Sequence, residues 1–221
     1  MKKHLILSIC ICCSSLNIAC SSNAQNTSET KHDIKESSIS IEDKAIIKKY
    51  KDRINSLDFS DRELVNKTKK DSLPEIRKIK IKIKNEDERE KIEMNIYLST
   101  GMYNEAYTLN TKILKSSPYS ANLITQCELI HNLKLSKTEF ERCHAKLALA
   151  IKKDLEKTSK NDPEYIYGEW GYFLSMYKSG HKEYDSQLKK ILDSTKDEQI
   201  KFQLESSYEL AVEQKNSYEN N

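Results

Sequence analysis

Two cysteines and two histidines are the residues whose types and spacing could do chemistry together: Cys127, His131, Cys143 and His144. Thiolate sulfur and imidazole nitrogen are both zinc ligands; His131 stands one helical turn beyond Cys127, and His144 adjoins Cys143. The spacing matches no established zinc signature, and on a helix His144 should point away from the face used by Cys143. A second chemistry follows from symmetry. Cys127 and Cys143 lie equally far from Leu135, so two antiparallel helices that reverse there bring the sulfurs side by side. An oxidising compartment would join them in a disulfide, whose loop closure contributes about 3 kcal/mol. The plainer alternative is a pair of small buried apolar side chains. His32, in a polar stretch, and His181, at a turn, fit solvated positions.

The sequence has no nucleophile elbow, phosphate loop or paired-histidine metal helix. The acidic run Glu86, Asp87 and Glu88 suits the positive end of a helix dipole. These observations predict no catalytic residue, no metal site and no cofactor, and hence a protein that is not an enzyme. The alternative from a different class is an enzyme whose site is scattered along the chain.

The compartment is read from the first twenty residues, MKKHLILSICICCSSLNIAC: two lysines, then an uncharged and mostly apolar run from Leu5 to Ile18, short for a bilayer span. This predicts an export signal. Residues 16–20, ending in Ala19 and Cys20, resemble the cleavage site of bacterial lipoproteins, which implies lipidation of Cys20. That family usually has Leu where this chain has Asn17. The competing reading is cleavage after Ala24, in the small-x-small pattern of Ser22, Asn23 and Ala24, giving a soluble periplasmic or secreted protein. Residues 21–40 are nearly devoid of apolar side chains and read as a flexible tether. Taking Lys2 and Lys3 from the 37 basic residues leaves 35 against 34 acids, a formal charge of +1. No basic field points to nucleic acid.

The chain has 221 residues with only 4 Gly and 3 Pro, and 32% of it is charged, a composition that favours one helical domain over a turn-rich β fold. The sequence predicts an all-α domain over 41–216 with about ten helices. Ser40 would cap a helix carrying Ile41, Ala45, Ile47, Tyr50, Ile54 and Leu57 inward. Ser60 with Glu63, and Ser72 with Glu75 around Pro74, read as capping boxes, the former ahead of a buried Leu64 and Val65. Ile79, Ile81 and Ile83 alternate with lysines as a strand would, but the capping box and the shared helical face of Ile76, Ile79 and Ile83 favour a helix. Asn85 with Glu88 starts the next helix. Farther on, Leu123, Ile124, Cys127, Ile130 and Leu133 form an inward stripe. Ser136 and Glu139 cap a helix that carries Phe140, Cys143, Leu147, Ala148 and Ile151. Asp162 and Pro163 open a segment whose Trp170, Phe173, Leu174 and Tyr177 share a face, with Gly168 and Gly171 allowing close helix approach. Tyr167 and Tyr172 fall off that face. Thr195 with Glu198 would cap a last helix bearing Phe202, Leu204, Tyr208 and Val212.

The segment from Asp87 to Pro118 combines these signals. Ile92 and Ile96 follow one helical face, Gly101 breaks the pattern, Ala106 opens a second stripe with Leu109 and Ile113, and Pro118 ends it. This spacing resembles the tetratricopeptide repeat, a helix-turn-helix unit of about 34 residues. Weaker repeats follow, with Leu135 where that family has Gly and with Lys182 after Gly180 where it has an aromatic. The resemblance implies antiparallel hairpins stacked as an α-solenoid that binds another protein or peptide. It places Glu88, Lys91, Asn95, Leu98 and Ser99 on the concave groove, Lys91 and Asn95 matching part of a clamp for a peptide's terminal carboxylate. Joined to the export signal, it predicts a protein-binding partner in the bacterial envelope, either as an assembly adaptor or as an inhibitor or immunity protein against an envelope-acting toxin.

Overall fold

In the computed structural model of the protein, residues 85–219 are described without a break, together with Ile83 and single positions scattered between 41 and 78. The export segment, Cys20, Ala24, the tether, Ser40, Ser60, the Ser72 and Glu75 pair, and Ile76, Ile79 and Ile81 lie outside the described residues. Among the described residues no strand occurs. The helices after residue 85 are α1 (Glu86–Ser99), α2 (Tyr103–Ser116), α3 (Ser120–Asn132), α4 (Lys137–Leu155), α5 (Tyr165–Lys178), α6 (Asp185–Ser194) and α7 (Glu198–Glu219), with a 3-10 turn at Lys182–Tyr184.

Upstream of α1, the described positions depart from the sequence reading. Ile41 and Ala45 are helical but exposed, Ile41 by 86%, and Leu64 is exposed as well. Asp61 Oδ1 accepts the N–H groups of Glu63 at 2.9 Å and Leu64 at 3.0 Å, a cap at the start of their helix. A carboxylate there supplies both the accepting oxygen and a full charge to the helix dipole. Ile83 is neither helical nor in a strand. It is buried among Ile92, Ile96, Tyr97, Met102, Ala106 and Leu129, and its carbonyl accepts from Arg89 Nη1 at 2.9 Å.

From Asn85 onward the local grammar holds. Asn85 Oδ1 accepts the Glu88 N–H at 3.1 Å, and Ser136 and Glu139 form a reciprocal capping box at the start of α4. The last helix is the exception: Asp197 Oδ1 accepts from the N–H groups of Gln199 and Ile200, while Thr195 closes α6 by donating to the Ile191 carbonyl at 2.7 Å.

Three helices end on one motif. After α1, the Gly101 N–H donates to the Leu98 carbonyl and the Met102 N–H to the Tyr97 carbonyl. After α5, Gly180 and His181 repeat this toward Tyr177 and Met176. Both glycines have positive φ, 66° and 104°. These paired bonds satisfy carbonyls that a helix end would otherwise leave open. After α3 the same pair runs from Lys134 to His131 and from Leu135 to Ile130, so the left-handed position falls on Lys134, with φ 52°, one residue before the expected Leu135.

Each helix packs chiefly on its chain neighbours, the α4–α5 seam being the most extensive, and α7 packs on α5 and α6. The apolar interior is correspondingly a series: the Ile83 cluster, then Cys127, Ile130, Phe140, Cys143 and Leu147, then Trp170, Leu188, Ile191 and Leu204. Ala106 and Ala148 are fully buried, as small side chains at close helix approaches should be. Gly168 serves the α4–α5 seam, where a Cβ would come within 2.7 Å of Leu155 Cδ2. Two residues assigned inward face out: Ile124 is 48% exposed and Phe202 65% exposed. In their place Leu129 and Ala211 are buried.

Cys127 and Cys143 are joined as a disulfide, their Cα atoms 5.5 Å apart, and both are buried. The bridge staples α3 to α4 across a separation of 16 residues.

Two outcomes follow. Alkylation of the denatured, unreduced protein should find no free thiol at Cys127 or Cys143, and reduction should lower unfolding free energy by about 3 kcal/mol. Lys134→Gly should raise stability by about 1 kcal/mol in a denaturant titration, because glycine relieves the left-handed strain of an L side chain.

Candidate functional site

Two places on the described surface and interior could serve a function. The first is the outer face of α1. Lys91 and Asn95, four residues apart, are both exposed and share that face. Lys91 Nζ pairs with Glu88 Oε1 at 2.7 Å, and the backbone of Glu88 is held by Asn85. Leu98 packs against the Ile83 cluster and Ser99 is half-buried, so these two present less to solvent than Lys91 and Asn95. On the opposite side of the hairpin a shallow hollow of about 360 Å³ is lined by Glu93, Tyr97, Asn104, Glu105, Thr108 and Leu109. None of the five groove residues lines it.

The second place was not foreseen: a buried polar seam where α3, α4, α5 and α7 meet. Glu128, on α3, accepts from Lys178 Nζ of α5 at 3.2 Å through Oε1 and from Gln214 Nε2 of α7 at 2.9 Å through Oε2. Burial alone would push the Glu128 carboxyl up. The Lys178 ammonium and the Gln214 amide more than offset that, and it titrates below the usual carboxylate range. Lys215 donates to the Tyr177 carbonyl at 3.1 Å and lies 4.1 Å from the centre of the Tyr177 ring. Burial pushes its ammonium down. Tyr218 OH donates to the Ile130 carbonyl at 3.4 Å and its ring stacks on Phe140.

His144 belongs to this seam: it is 2% exposed, while Cys143, next to it in sequence, faces the Cys127 cluster. α5 and α7 cover the side of α4 that a single hairpin would leave open, so a wider arc of that helix is buried. His144 and His131 do not form a zinc site with the cysteines, whose sulfurs are bonded to each other. Among the described residues no group of three His, Cys, Asp or Glu is placed to hold a metal ion.

The aromatic run is mostly structural, as its spacing implied. Trp170 is buried and its Nε1 donates to Ser207 Oγ of α7 at 2.9 Å. Tyr172 OH is 3.3 Å from Tyr184 OH, and Tyr208 bonds Asp185. Tyr167 remains half open beside Gln203. The signal that could have exposed the polar seam is weak: a lysine in the last turn of α5 and a glutamate in the middle of α3 are ordinary singly, and their pairing spans 50 residues.

Compared with protein-family models, curated proteins and solved structures, the chain matches none.

Glu128→Ala should destabilise the fold by about 2 kcal/mol in chemical unfolding, because it leaves the Lys178 ammonium buried without its carboxylate.

Proposed function

We propose that this chain is an exported, lipid-anchored helical-repeat protein, stacked in the manner of tetratricopeptide repeats, that binds another protein in the bacterial envelope as an assembly adaptor or as an inhibitor of an envelope-acting toxin. The observation that carries this reading is the chain-ordered packing of helices whose ends repeat one left-handed motif, with Lys91 and Asn95 exposed together on the first complete hairpin. Stacks of this kind present an extended surface rather than a closed pocket, and they bind through side chains held on rigid helices. Glu88, Lys91 and Asn95 supply a charged and amide-bearing edge for a peptide's polar groups; Leu98 and Ser99 supply the adjoining floor. Cys20 is the proposed lipid attachment, with residues 21–40 as the tether that lets the domain reach its partner. No helix among the described residues is long and apolar enough to cross a membrane.

Affinity purification of the mature protein from envelope extract separates the two roles: one tight, stoichiometric enzyme partner indicates an inhibitor, several structural proteins indicate an adaptor, and no partner returns the scattered-site enzyme. With a partner in hand, Lys91→Ala combined with Asn95→Ala should weaken binding about tenfold, while the loss of one exposed ion pair leaves stability within about 0.5 kcal/mol. Intact mass of the exported chain checks the anchor: a lipid-modified chain starting at Cys20 is expected, and an unmodified one starting at Gln25 refutes it.

A further inference from the structure

His144 stands in the middle of α4 with both ring nitrogens buried and without a hydrogen-bond partner. The Phe140 ring, one turn earlier, meets it edge-on with centroids 4.5 Å apart. On the α3 side of Phe140 lies His131, 6.1 Å away, its Nδ1 also buried and unpartnered. From α5, Lys178 brings its ammonium to 5.6 Å from the same ring. From α7, Tyr218 stacks on Phe140 at 4.5 Å and faces His131 at 5.8 Å. A neutral imidazole is tolerated among aromatic rings, whereas an imidazolium carries two donors and a charge that need acceptors.

No acceptor bonds the His144 ring, and the unpartnered acceptor at the seam, Gln214 Oε1, is a neutral amide oxygen that offers no countercharge. Both Glu128 oxygens are taken by Lys178 and Gln214. The other charges near the seam are Glu213 and Lys134 toward His131, Glu139 toward Tyr218, and Glu141, Glu219, Lys137 and Lys182 around Lys215. The charge that acts directly on His144 is the positive Lys178, joined by His131 when that ring is itself protonated. The seam is also what fastens the far end of α7 to the rest: Gln214 to Glu128, Lys215 to the Tyr177 carbonyl and Tyr218 to the Ile130 carbonyl.

We infer that this seam is an acid-sensitive latch: protonation of His144 beside Lys178 parts the C-terminal turns of α7 from α3 and α4, and uncovers the Phe140 and Tyr218 rings. Burial, then Lys178 and His131, hold the His144 imidazole well below its usual range. Burial likewise lowers His131, with Glu128 opposing. The unfolded histidine titrates near pH 6.5, so stability is complete above that value and is lost as the pH falls below it, where opening takes up a proton. The hydrogen bonds of Gln214, Lys215 and Tyr218 and the Lys182–Glu219 ion pair, at 3.9 Å, hold the segment near its end, so it opens locally before the whole domain unfolds.

Hydrogen exchange of the full chain, read by peptide mass and corrected for intrinsic rates, tests this. Between about pH 7 and about pH 5, protection over residues 208–219 should fall about tenfold or more while residues 86–116 keep theirs. His144→Phe, which fills the same apolar site without a titrating group, should abolish that pH dependence; His144→Gln serves if the first variant folds poorly. Unchanged protection of α7 at the lower pH overturns the inference, as does equal loss across all helices. So does a pH dependence that survives in the folded variants.

Discussion

A single carboxylate organises the C-terminal two-thirds of the domain. Glu128 is the point where α3, α5 and α7 share hydrogen bonds, one oxygen for Lys178 and the other for Gln214. Chain-ordered packing would otherwise let the last helix touch only its two predecessors. Through Glu128, and through Tyr218 reaching the Ile130 carbonyl, α7 folds back over a separation of 86 to 88 residues onto the middle of the molecule. The ionised groups are tolerated there because each meets the other, and because amide and aromatic neighbours take the remaining directions.

Two kinds of staple therefore act at the centre. The disulfide ties α3 to α4 through the shortest path in the chain, and the Glu128 seam ties α3 to α5 and α7 through long ones. Phe140 stands between them, in the same cluster as both cysteines and in ring contact with His131, His144 and Tyr218. The first hairpin, α1 and α2, has a core of its own, reached from the rest through Leu129 and through the Asn110 amide, which donates to Gln126 Oε1 at 2.7 Å and to the Asn122 carbonyl at 2.9 Å.

What was legible in the sequence is what local chemistry dictates. Asn85, the Ser136 and Glu139 box, Gly101, Gly180 and Pro118 each act within a few residues, and the cysteine pair needed only a turn placed midway between them. Asp197 was missed because a threonine two residues before an aspartate gives two competent caps, and spacing alone does not choose between them. Lys134 was missed because nothing in a lysine advertises a left-handed backbone. The outward Ile124 and Phe202 share another cause. A helical stripe fixes relative phase, while the absolute direction depends on how many neighbours cover the helix. The polar seam was illegible for the strongest reason: its partners are distant in sequence, and each residue type, taken alone, is an ordinary one on a helix face. The proposed groove, Lys91 with Asn95, could be picked out because it lies on one helix.

The chain contains one tryptophan, and the fold puts it in an informative place. Trp170 is buried in α5, with its indole N–H on Ser207 of α7 and its ring among Leu188, Ile191 and Leu204. Intrinsic fluorescence of this protein is thus an optical readout of one contact, the seating of the last helices on α5. Indole emission, excited selectively at long wavelength, is blind to the first hairpin, whose aromatic side chains are tyrosines, so it follows the C-terminal end of the stack alone.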